Sequence, residues 1–328
     1  MRPHPARRRS AVTALVVTVV LLAPGTAAAA DRAPTCRAPR SAGPLAKQLT
    51  RDVKAALAGR TGTVSVVVRD DRTKVRCSLA AGTRYDSASI VKVLMLEATL
   101  RRAAHRGRQP TGWERRNLRP MIRSSDNASA GRLWNDLGRP YLTSTLRRAG
   151  TTGTSLGPYG YWGLTRTTAA DQMRLLDALT ARRGSFMTAA SRSYGLKLMS
   201  QVQKNQRWGV PAGMPRGLRA HLKNGWLPRA THGWRIHSIG AFTGGGRSYR
   251  IAVLSHGNPS MKYGVRTVER VAQAVHRALN KGRAVGRGLT PPAEISERSD
   301  GSVPPDAPEF PDPYEETAGQ GPAGVPAP

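Results

Sequence analysis

The chain contains 328 residues, enough for one large domain or two small ones with a buried core. Its formal net charge is +32, while aromatic residues make up only 5% of the sequence. So few aromatic side chains leave little surface for stacking on bases, which argues against a protein that binds nucleic acid specifically. No internal repeat is present.

The positive charge lies in the middle of the chain. Residues 1–30 carry four arginines and no acid, and residues 281–328 carry four basic and eight acidic residues. Residues 31–280 therefore retain a net charge of +32. Such a surface attracts polyanions, such as nucleic acid, anionic cell-wall polymers of the teichoic-acid type or anionic lipid headgroups. Because the basic residues are scattered rather than clustered, a compositional bias is the favoured explanation, and a dedicated polyanion site is the alternative.

Residues 1–30 have the three parts of a secretory signal peptide. A basic start is followed by an apolar run, Ala11–Ala23, and then by small residues at Ala27–Ala30. A transmembrane helix needs about 20 apolar residues, more than this run offers. We therefore expect cleavage near Ala30 and a secreted, monomeric protein without a membrane span; an uncleaved anchor is the alternative.

The two cysteines, Cys36 and Cys77, are expected to form one disulfide. An exported protein reaches an oxidising compartment, where paired thiols oxidise. The alternative is two inert free thiols.

Hydrophobic patterns between residues 31 and 280 predict one α/β body. In chain order the predicted elements are a helix (Leu45–Leu57), two strands (Thr63–Arg69 and Lys74–Leu79), six helices (Ser89–His105, Trp113–Ser124, Ala128–Leu137, Tyr141–Ala149, Ala169–Leu179 and Ala189–Val202), three strands (Leu218–Trp226, Trp234–Phe242 and Tyr249–Ser255) and a last helix (Gly264–Leu279). This order predicts an α+β fold in which one antiparallel sheet is closed from both chain ends and flanked by helices, with a helical insert.

Residues 281–328 differ in composition from the body. They hold ten of the 24 prolines, few aliphatic residues and an excess of acids, and they show no hydrophobic periodicity. This composition predicts a disordered Pro-rich acidic tail.

Three short motifs carry the chemistry. They are Ser89-Ile90-Val91-Lys92 at a predicted helix start, Ser125-Asp126-Asn127 in a loop between helices, and Lys223-Asn224-Gly225 on a predicted strand. Each motif alone has an ordinary explanation: a helix cap, a turn and a solvated lysine. All three in this order, on these element types, are a strong signal. Over most of residues 40–280 the chain resembles the class A β-lactamase and penicillin-binding protein superfamily.

The residue types also make chemical sense without the resemblance. A serine hydroxyl is a poor nucleophile at neutral pH and needs a nearby base. Residues three apart share one face of a helix, so Lys92 lies one turn from Ser89. At a helix start, the backbone N–H of Ser89 also points to where an oxyanion would form. Asp86 and Ser87 are candidates for capping this helix.

The resemblance implies a role for each motif residue. Ser89 would be the nucleophile and Lys92 its activating base, while Ser125 would pass a proton to the leaving nitrogen and Lys223 would tune Ser125 and hold a substrate carboxylate. The substrate would be held by Asn127, Asn224, Gly225 and the backbone N–H of Trp226, the second oxyanion donor. No cofactor and no metal are expected. A second cation for the substrate carboxylate could come from Arg235 or His237.

Three departures from the superfamily pattern affect the expected turnover. Class A enzymes carry a loop glutamate that activates the deacylating water, whereas residues 155–165 contain no acid. Only 36 residues separate Ser89 from Ser125, fewer than is usual, which predicts a more open site. Asn224 replaces the usual threonine or serine. We therefore expect acylation to occur and deacylation to be slow, unless another acid such as Asp171 acts as the base.

The leading hypothesis is a β-lactamase-like serine hydrolase that acts on β-lactams or on D-alanyl cell-wall peptides. Action on β-lactams would contribute to antibiotic resistance. A D-alanyl-D-alanine peptidase is the first alternative. A second alternative is a non-catalytic protein that binds cell-wall material. The third is a secreted basic protein that binds nucleic acid, which only the charge supports.

Overall fold

The computed structural model describes residues 33–184, 186–286 and 295–310. The predicted signal peptide lies outside these ranges. In chain order the elements are β1 (Thr35–Arg37), α1 (Gly43–Leu57), β2 (Thr63–Asp70), β3 (Arg76–Leu79), β4 (Arg84–Asp86), α2 (Lys92–His105), α3 (Gly112–Arg123), α4 (Asn127–Arg148), β5 (Arg166–Thr168), α5 (Ala169–Thr180), α6 (Ala189–Ser200), β6 (Arg219–Pro228), β7 (Trp234–Gly244), β8 (Arg247–Asn258) and α7 (Met261–Leu279).

Six strands form one antiparallel sheet in the order β1-β3-β2-β8-β7-β6. The strand from the N-terminal half, β2, pairs along its length with β8 from the C-terminal half. This pairing closes the sheet from both chain ends, so the predicted fold class is confirmed. β4 and β5 form a separate two-stranded pair.

The sheet separates two hydrophobic cores, because successive strand residues point to opposite faces. On β2, Val66 and Val68 pack with α1 and α7, whereas Val67 packs with the insert helices α2 to α6. The insert helices thus form a layer on one face, and the two terminal helices cover the other. The three sequence motifs lie on the side of the insert helices.

The differences from the predicted elements concern short or broken segments. Three strands of three residues each, β1, β4 and β5, were not predicted because so short a run shows no periodicity. The two helices predicted over Ala128–Leu137 and Tyr141–Ala149 appear as the two arms of α4. They meet at Gly138, whose φ of +72° breaks the helical geometry.

The predicted disulfide is confirmed, and it joins Cys36 to Cys77. The two cysteines face each other across the pairing of β1 with β3. The bridge spans 41 residues, and by the chain-entropy model such a loop closure contributes about 4 kcal/mol. It fixes the short edge strand β1 to the sheet.

The structure differs from the expected disordered tail at residues 295–310, which lie against the body. Val303 and Ala307 are 2% and 8% exposed and pack with Ala88, Leu164 and Leu227. Few apolar residues are needed for this contact, which is why hydrophobic periodicity gave no sign of it. Within the described ranges no helix has the length and apolarity needed to cross a membrane.

Gly225 on β6 allows the strand to pass directly beside the short 3-10 turn Ala88–Val91. A Cβ atom at this position would lie 2.7 Å from the backbone nitrogen of Ser89 and 2.9 Å from that of Ile90. Atoms so placed cannot coexist without a backbone shift, so only glycine permits this approach.

We expect Gly225→Ala to lower the free energy of unfolding by about 1–3 kcal/mol, the usual cost of overpacking a buried contact. Gly131→Ala in α4 is the matched control, because a Cβ there meets no atom within 4 Å and alanine favours a helix by up to about 1 kcal/mol. Urea unfolding of both variants provides the test. A Gly225→Ala protein as stable as the unmodified chain would contradict this packing.

Candidate active site

Ser89 lies in the 3-10 turn Ala88–Val91, which leads directly into α2. Ala88 adopts a φ of +46°, a left-handed conformation that costs a residue other than glycine about 1–2 kcal/mol. Backbone strain of this kind is concentrated at functional sites. Neither predicted cap is present, since no side chain caps this turn; Asp86 instead forms ion pairs with Arg166 and Arg235.

Lys92 places its amine at the centre of the three motifs. Nζ lies 2.9 Å from Ser89 Oγ, 3.0 Å from Ser125 Oγ, 2.6 Å from the Ser125 carbonyl oxygen and 2.7 Å from Asn127 Oδ1. The last two oxygens can only accept hydrogen bonds. A neutral amine has two N–H donors for these two acceptors, and its lone pair is then free to accept the proton of a serine hydroxyl.

Ser125 and Lys223 complete the cluster. Ser125 has a φ of +59° in the short connection between α3 and α4, and Asp126 fixes that connection by accepting the N–H of Ser129 at the start of α4. Lys223 on β6 donates to Ser125 Oγ at 2.9 Å and to the Asn224 carbonyl at 2.7 Å. The Ser125 hydroxyl thus lies between two amines.

Burial shifts both amines toward their neutral forms. Loss of hydration lowers the pKa of Lys92 to about 8, although the carboxylates of Asp300 and Asp126 oppose this shift. Burial also lowers the pKa of Lys223 well below its usual value, and the nearby charge of Lys92 lowers it further. A lysine with a pKa near the working pH can serve as a general base.

Two backbone donors converge on one point beside Ser89. The N–H of Ser89 and the N–H of Trp226 both donate to Asp300 Oδ2, at 2.9 and 3.3 Å. Two N–H groups aimed at a single anionic oxygen have the geometry of an oxyanion hole. They come from a helix start and a strand, held together by the close approach at Gly225.

The predicted substrate-binding residues divide into two groups. Asn127 and Trp226 line the cleft beside Ser89. The Asn127 amide donates to the Asp300 carbonyl, and the Trp226 backbone N–H donates to the Asp300 carboxylate. Asn224 points to the other face of the sheet and donates to the carbonyls of Gln206 and Trp208. Its amide group is therefore used in holding that segment, and it is not placed to bind a substrate carboxylate as we expected.

The two candidates for a second cation, Arg235 and His237, bind Asp86 and are not placed to bind a substrate carboxylate. Arg235 is 2% exposed and pairs with the Asp86 carboxylate at 2.9 Å. His237 Nε2 lies 2.8 Å from the Asp86 carbonyl oxygen, and burial lowers its pKa to about 4. Both side chains fix the strand that precedes Ser89.

The acid-free loop places an indole beside the cluster. The ring centre of Trp162 lies 4.8 Å from Lys92 Nζ, within the range of a cation–π contact. Asp171, considered as a replacement base, accepts from the Gly153 N–H, the Thr154 hydroxyl and Arg174. Its carboxylate therefore holds the start of the loop.

Sequence reasoning missed Trp162 and Asp300. Trp162 lies in the loop 155–165, where the lack of an acid was the only signal in the sequence. Asp300 lay in a segment without periodicity, but the sequence did carry one signal: an acidic tail follows a strongly basic body. Charge complementarity could have indicated that the two parts bind each other.

The chain is similar to known proteins in both sequence and fold. The model of the β-lactamase enzyme family matches residues 115–279. The protein LppW of Mycobacterium tuberculosis and M. bovis, described provisionally as a lipoprotein, is 27% identical over 227 residues, which is 67% of this chain and 71% of LppW.

Solved structures share the fold. The TLA-3 extended-spectrum β-lactamase aligns with a TM-score of 0.64 and 14% identity, over 72% of this chain and 99% of the enzyme. A point mutant of PBP-A, solved as an acyl-enzyme complex with penicillin G, aligns with a TM-score of 0.60 and 17% identity, over 72% of this chain and 97% of PBP-A. A variant of an ancestral class A β-lactamase of Gram-negative bacteria aligns with a TM-score of 0.60 and 21% identity, over 74% of this chain and 100% of the variant. Because the family model covers just over half of the 328 residues, the chain belongs to the β-lactamase enzyme family.

Proposed function

We propose that this protein is an exported serine hydrolase whose Ser89 forms an acyl-enzyme with β-lactams or with D-alanyl cell-wall peptides. The observation that carries the proposal is the 2.9 Å contact between a buried amine, Lys92 Nζ, and Ser89 Oγ. This contact lies beside two convergent backbone N–H donors. A protein that only binds its ligand has no use for an activated nucleophile next to an oxyanion hole.

Acylation follows from the positions of these groups. Neutral Lys92 accepts the proton of Ser89 as its oxygen bonds to the carbonyl carbon of the substrate amide. The carbonyl oxygen becomes an oxyanion, stabilised by the N–H groups of Ser89 and Trp226. When the C–N bond breaks, Ser125 donates its proton to the leaving nitrogen. Ser125 regains a proton from Lys92 or Lys223, since both Nζ atoms lie within 3.0 Å of its oxygen.

Lys223 and Asn127 would orient the substrate. Lys223 lies at the base of the cleft, where its amine can donate hydrogen bonds to a substrate carboxylate, a group that both penicillins and D-alanyl peptides carry. The charge of that carboxylate opposes the effect of burial and favours the protonated amine. The Asn127 amide, already within 2.7 Å of Lys92, offers its N–H to a peptide carbonyl in the cleft. Asn224 has no part in this binding.

The acid-free loop favours a peptidase with slow turnover of β-lactams over an efficient β-lactamase. Hydrolysis of the acyl-enzyme needs a base for the incoming water. Asp171 is held by Gly153 and Thr154, and Trp162 occupies the space beside Lys92. A D-alanyl peptidase that transfers its acyl group to an acceptor amine tolerates such a site, because the amine attacks the acyl group instead of water.

Export rests on the signal-like sequence of residues 1–30 and on the disulfide, which forms in oxidising compartments. The lipoprotein description of LppW does not extend to the cysteines of this chain. Lipidation of a cysteine needs a free thiol, and both cysteines are used in the Cys36–Cys77 bridge.

Treatment with penicillin should place a covalent adduct on the peptide that contains Ser89, as detected by mass spectrometry. Ser89→Ala should abolish the adduct, because it removes the attacking oxygen. Ser87→Ala is the matched control, since its hydroxyl is directed to the carbonyls of Gly163 and Ala88 rather than to the amines. An adduct that persists in Ser89→Ala would refute the mechanism, and a protein never acylated at any concentration would favour the non-catalytic binder.

A chromogenic cephalosporin should give a stoichiometric burst followed by a weak steady state. A missing general base costs about 10²–10⁴ in rate, so we expect the acyl-enzyme to persist for minutes or longer. Stopped-flow absorbance, with intact-mass measurement of the accumulated adduct, provides the test. Burst-free turnover on the order of tens per second, an ordinary enzyme rate, would show that another group activates water.

A further inference from the structure

Residues 295–310, here called the tail segment, cross the cleft that contains Ser89. The segment carries four acidic residues and one basic residue, opposite in sign to the body it contacts. With the segment in place, Ser89, Lys92 and Lys223 are all 0% exposed. A substrate cannot reach the nucleophile in this state.

Asp300 occupies the oxyanion hole. Its Oδ2 accepts the two backbone N–H groups of Ser89 and Trp226, so a charged oxygen stands where the oxyanion of a reacting carbonyl would form. A carboxylate is a poor electrophile and has no leaving group on this carbon. Asp300 therefore binds the hole without acylating Ser89.

The backbone around Asp300 is held in the manner of a bound peptide. Its N–H donates to the Trp226 carbonyl at 3.1 Å, and its carbonyl accepts from Asn127 Nδ2 at 2.9 Å. The Trp226 indole N–H donates to the Arg298 carbonyl at 2.8 Å. The segment thus lies between the edge of β6 and Asn127, the position of a peptide that adds to a strand edge.

Contacts at both ends hold the segment across the cleft. The Glu297 carboxylate accepts from the backbone N–H groups of Met261 and Lys262 at the start of α7, where the helix dipole favours a negative charge. The Glu309 carboxylate accepts from Arg229, Ala230 and Thr231 at 3.0, 3.1 and 2.7 Å.

We propose that the tail segment is an intramolecular peptide ligand of this cleft, which keeps the enzyme inhibited until the segment is displaced. The cleft accordingly binds extended acidic peptides, with one carboxylate in the oxyanion hole. The predicted inhibition rests on the proposed acylation of Ser89, whereas the predicted binding of the peptide does not. Because the ligand belongs to the same chain, its effective concentration is about millimolar, so a weak contact suffices to close the site.

Three full-length variants test the inhibition. Asp300→Ala removes the carboxylate from the oxyanion hole. Gly301→Val keeps that charge but displaces the segment, because Gly301 has a φ of +70° and a Cβ there would lie 2.8 Å from Asn127 Nδ2. Asp306→Ala is the control for charge, since Asp306 is an exposed residue of the same segment.

We expect the second-order rate of labelling by a fluorescent penicillin to rise about tenfold or more in Asp300→Ala and Gly301→Val, the effect of losing a charged hydrogen bond. Asp306→Ala should label at the rate of the unmodified protein. Equal rates in all four proteins would overturn the proposal. So would an increase in Asp300→Ala alone, which would reflect the lost charge near Lys92 rather than an opened cleft, or a decrease, which would make Asp300 part of the catalytic apparatus.

A second measurement separates this proposal from the proposed function. A fluorescent peptide of residues 295–310 should bind the Gly301→Val protein, as measured by anisotropy, and the same peptide with Asp300→Ala should bind at least about tenfold more weakly. If no variant is labelled by penicillin, the proposed acylation fails and the peptide result alone decides. Binding that depends on Asp300 supports the intramolecular ligand, and absence of binding overturns it.

Discussion

The burial of Lys92 beside Ser89 is the constraint on which the rest of the site depends. An ammonium group without water is costly, so the site must either neutralise the amine or supply an anion. The structure provides for both: the pKa of Lys92 is lowered to about 8 by burial, and the carboxylate of Asp300 lies close enough to oppose that shift. In a cleft without an anion, burial favours the neutral amine, which can act as a base. The protonated amine is instead stabilised by a ligand that carries a negative charge.

The fold produces this burial by bringing together parts that are distant in the chain. The sheet joins β2 to β8, which brings β6 against the start of α2, and Gly225 lets the strand approach the Ser89 nitrogen closely. The turn at Ser125 brings the Ser125-Asp126-Asn127 motif to the same point. Two of the three contributions depend on unusual backbone, at Ala88 and Ser125. Ala88 is held by its packing against Leu164 and Leu227, and Ser125 by the hydrogen bonds of its hydroxyl with the two lysine amines.

Much of this arrangement could be predicted from the sequence, because periodicity reveals the elements that carry two of the motifs and the two helices that flank the loop motif. Ser89 lies at the start of a predicted helix. Lys223 lies on a predicted strand whose successive side chains alternate between the two faces of the sheet. That alternation could also have excluded Asn224 from the cleft, since adjacent strand residues point to opposite faces. Asp300 could not be located by periodicity, because its binding uses one carboxylate and a few backbone groups rather than a hydrophobic face. Trp162 could not be located either, since its role depends on where an irregular loop folds.

The pH dependence of Ser89 acylation tests the role of Lys92 most directly. Only the neutral amine accepts a proton, so the labelling rate by a fluorescent penicillin should rise with pH, pass its midpoint near pH 8 and level off above it. Lys92→Arg keeps a positive charge but cannot lose its proton in this range, and it should label slowly with no such rise. A rate in the unmodified protein that stays flat between pH 6 and pH 9, or a Lys92→Arg protein that keeps the same rise, would contradict the role assigned to Lys92.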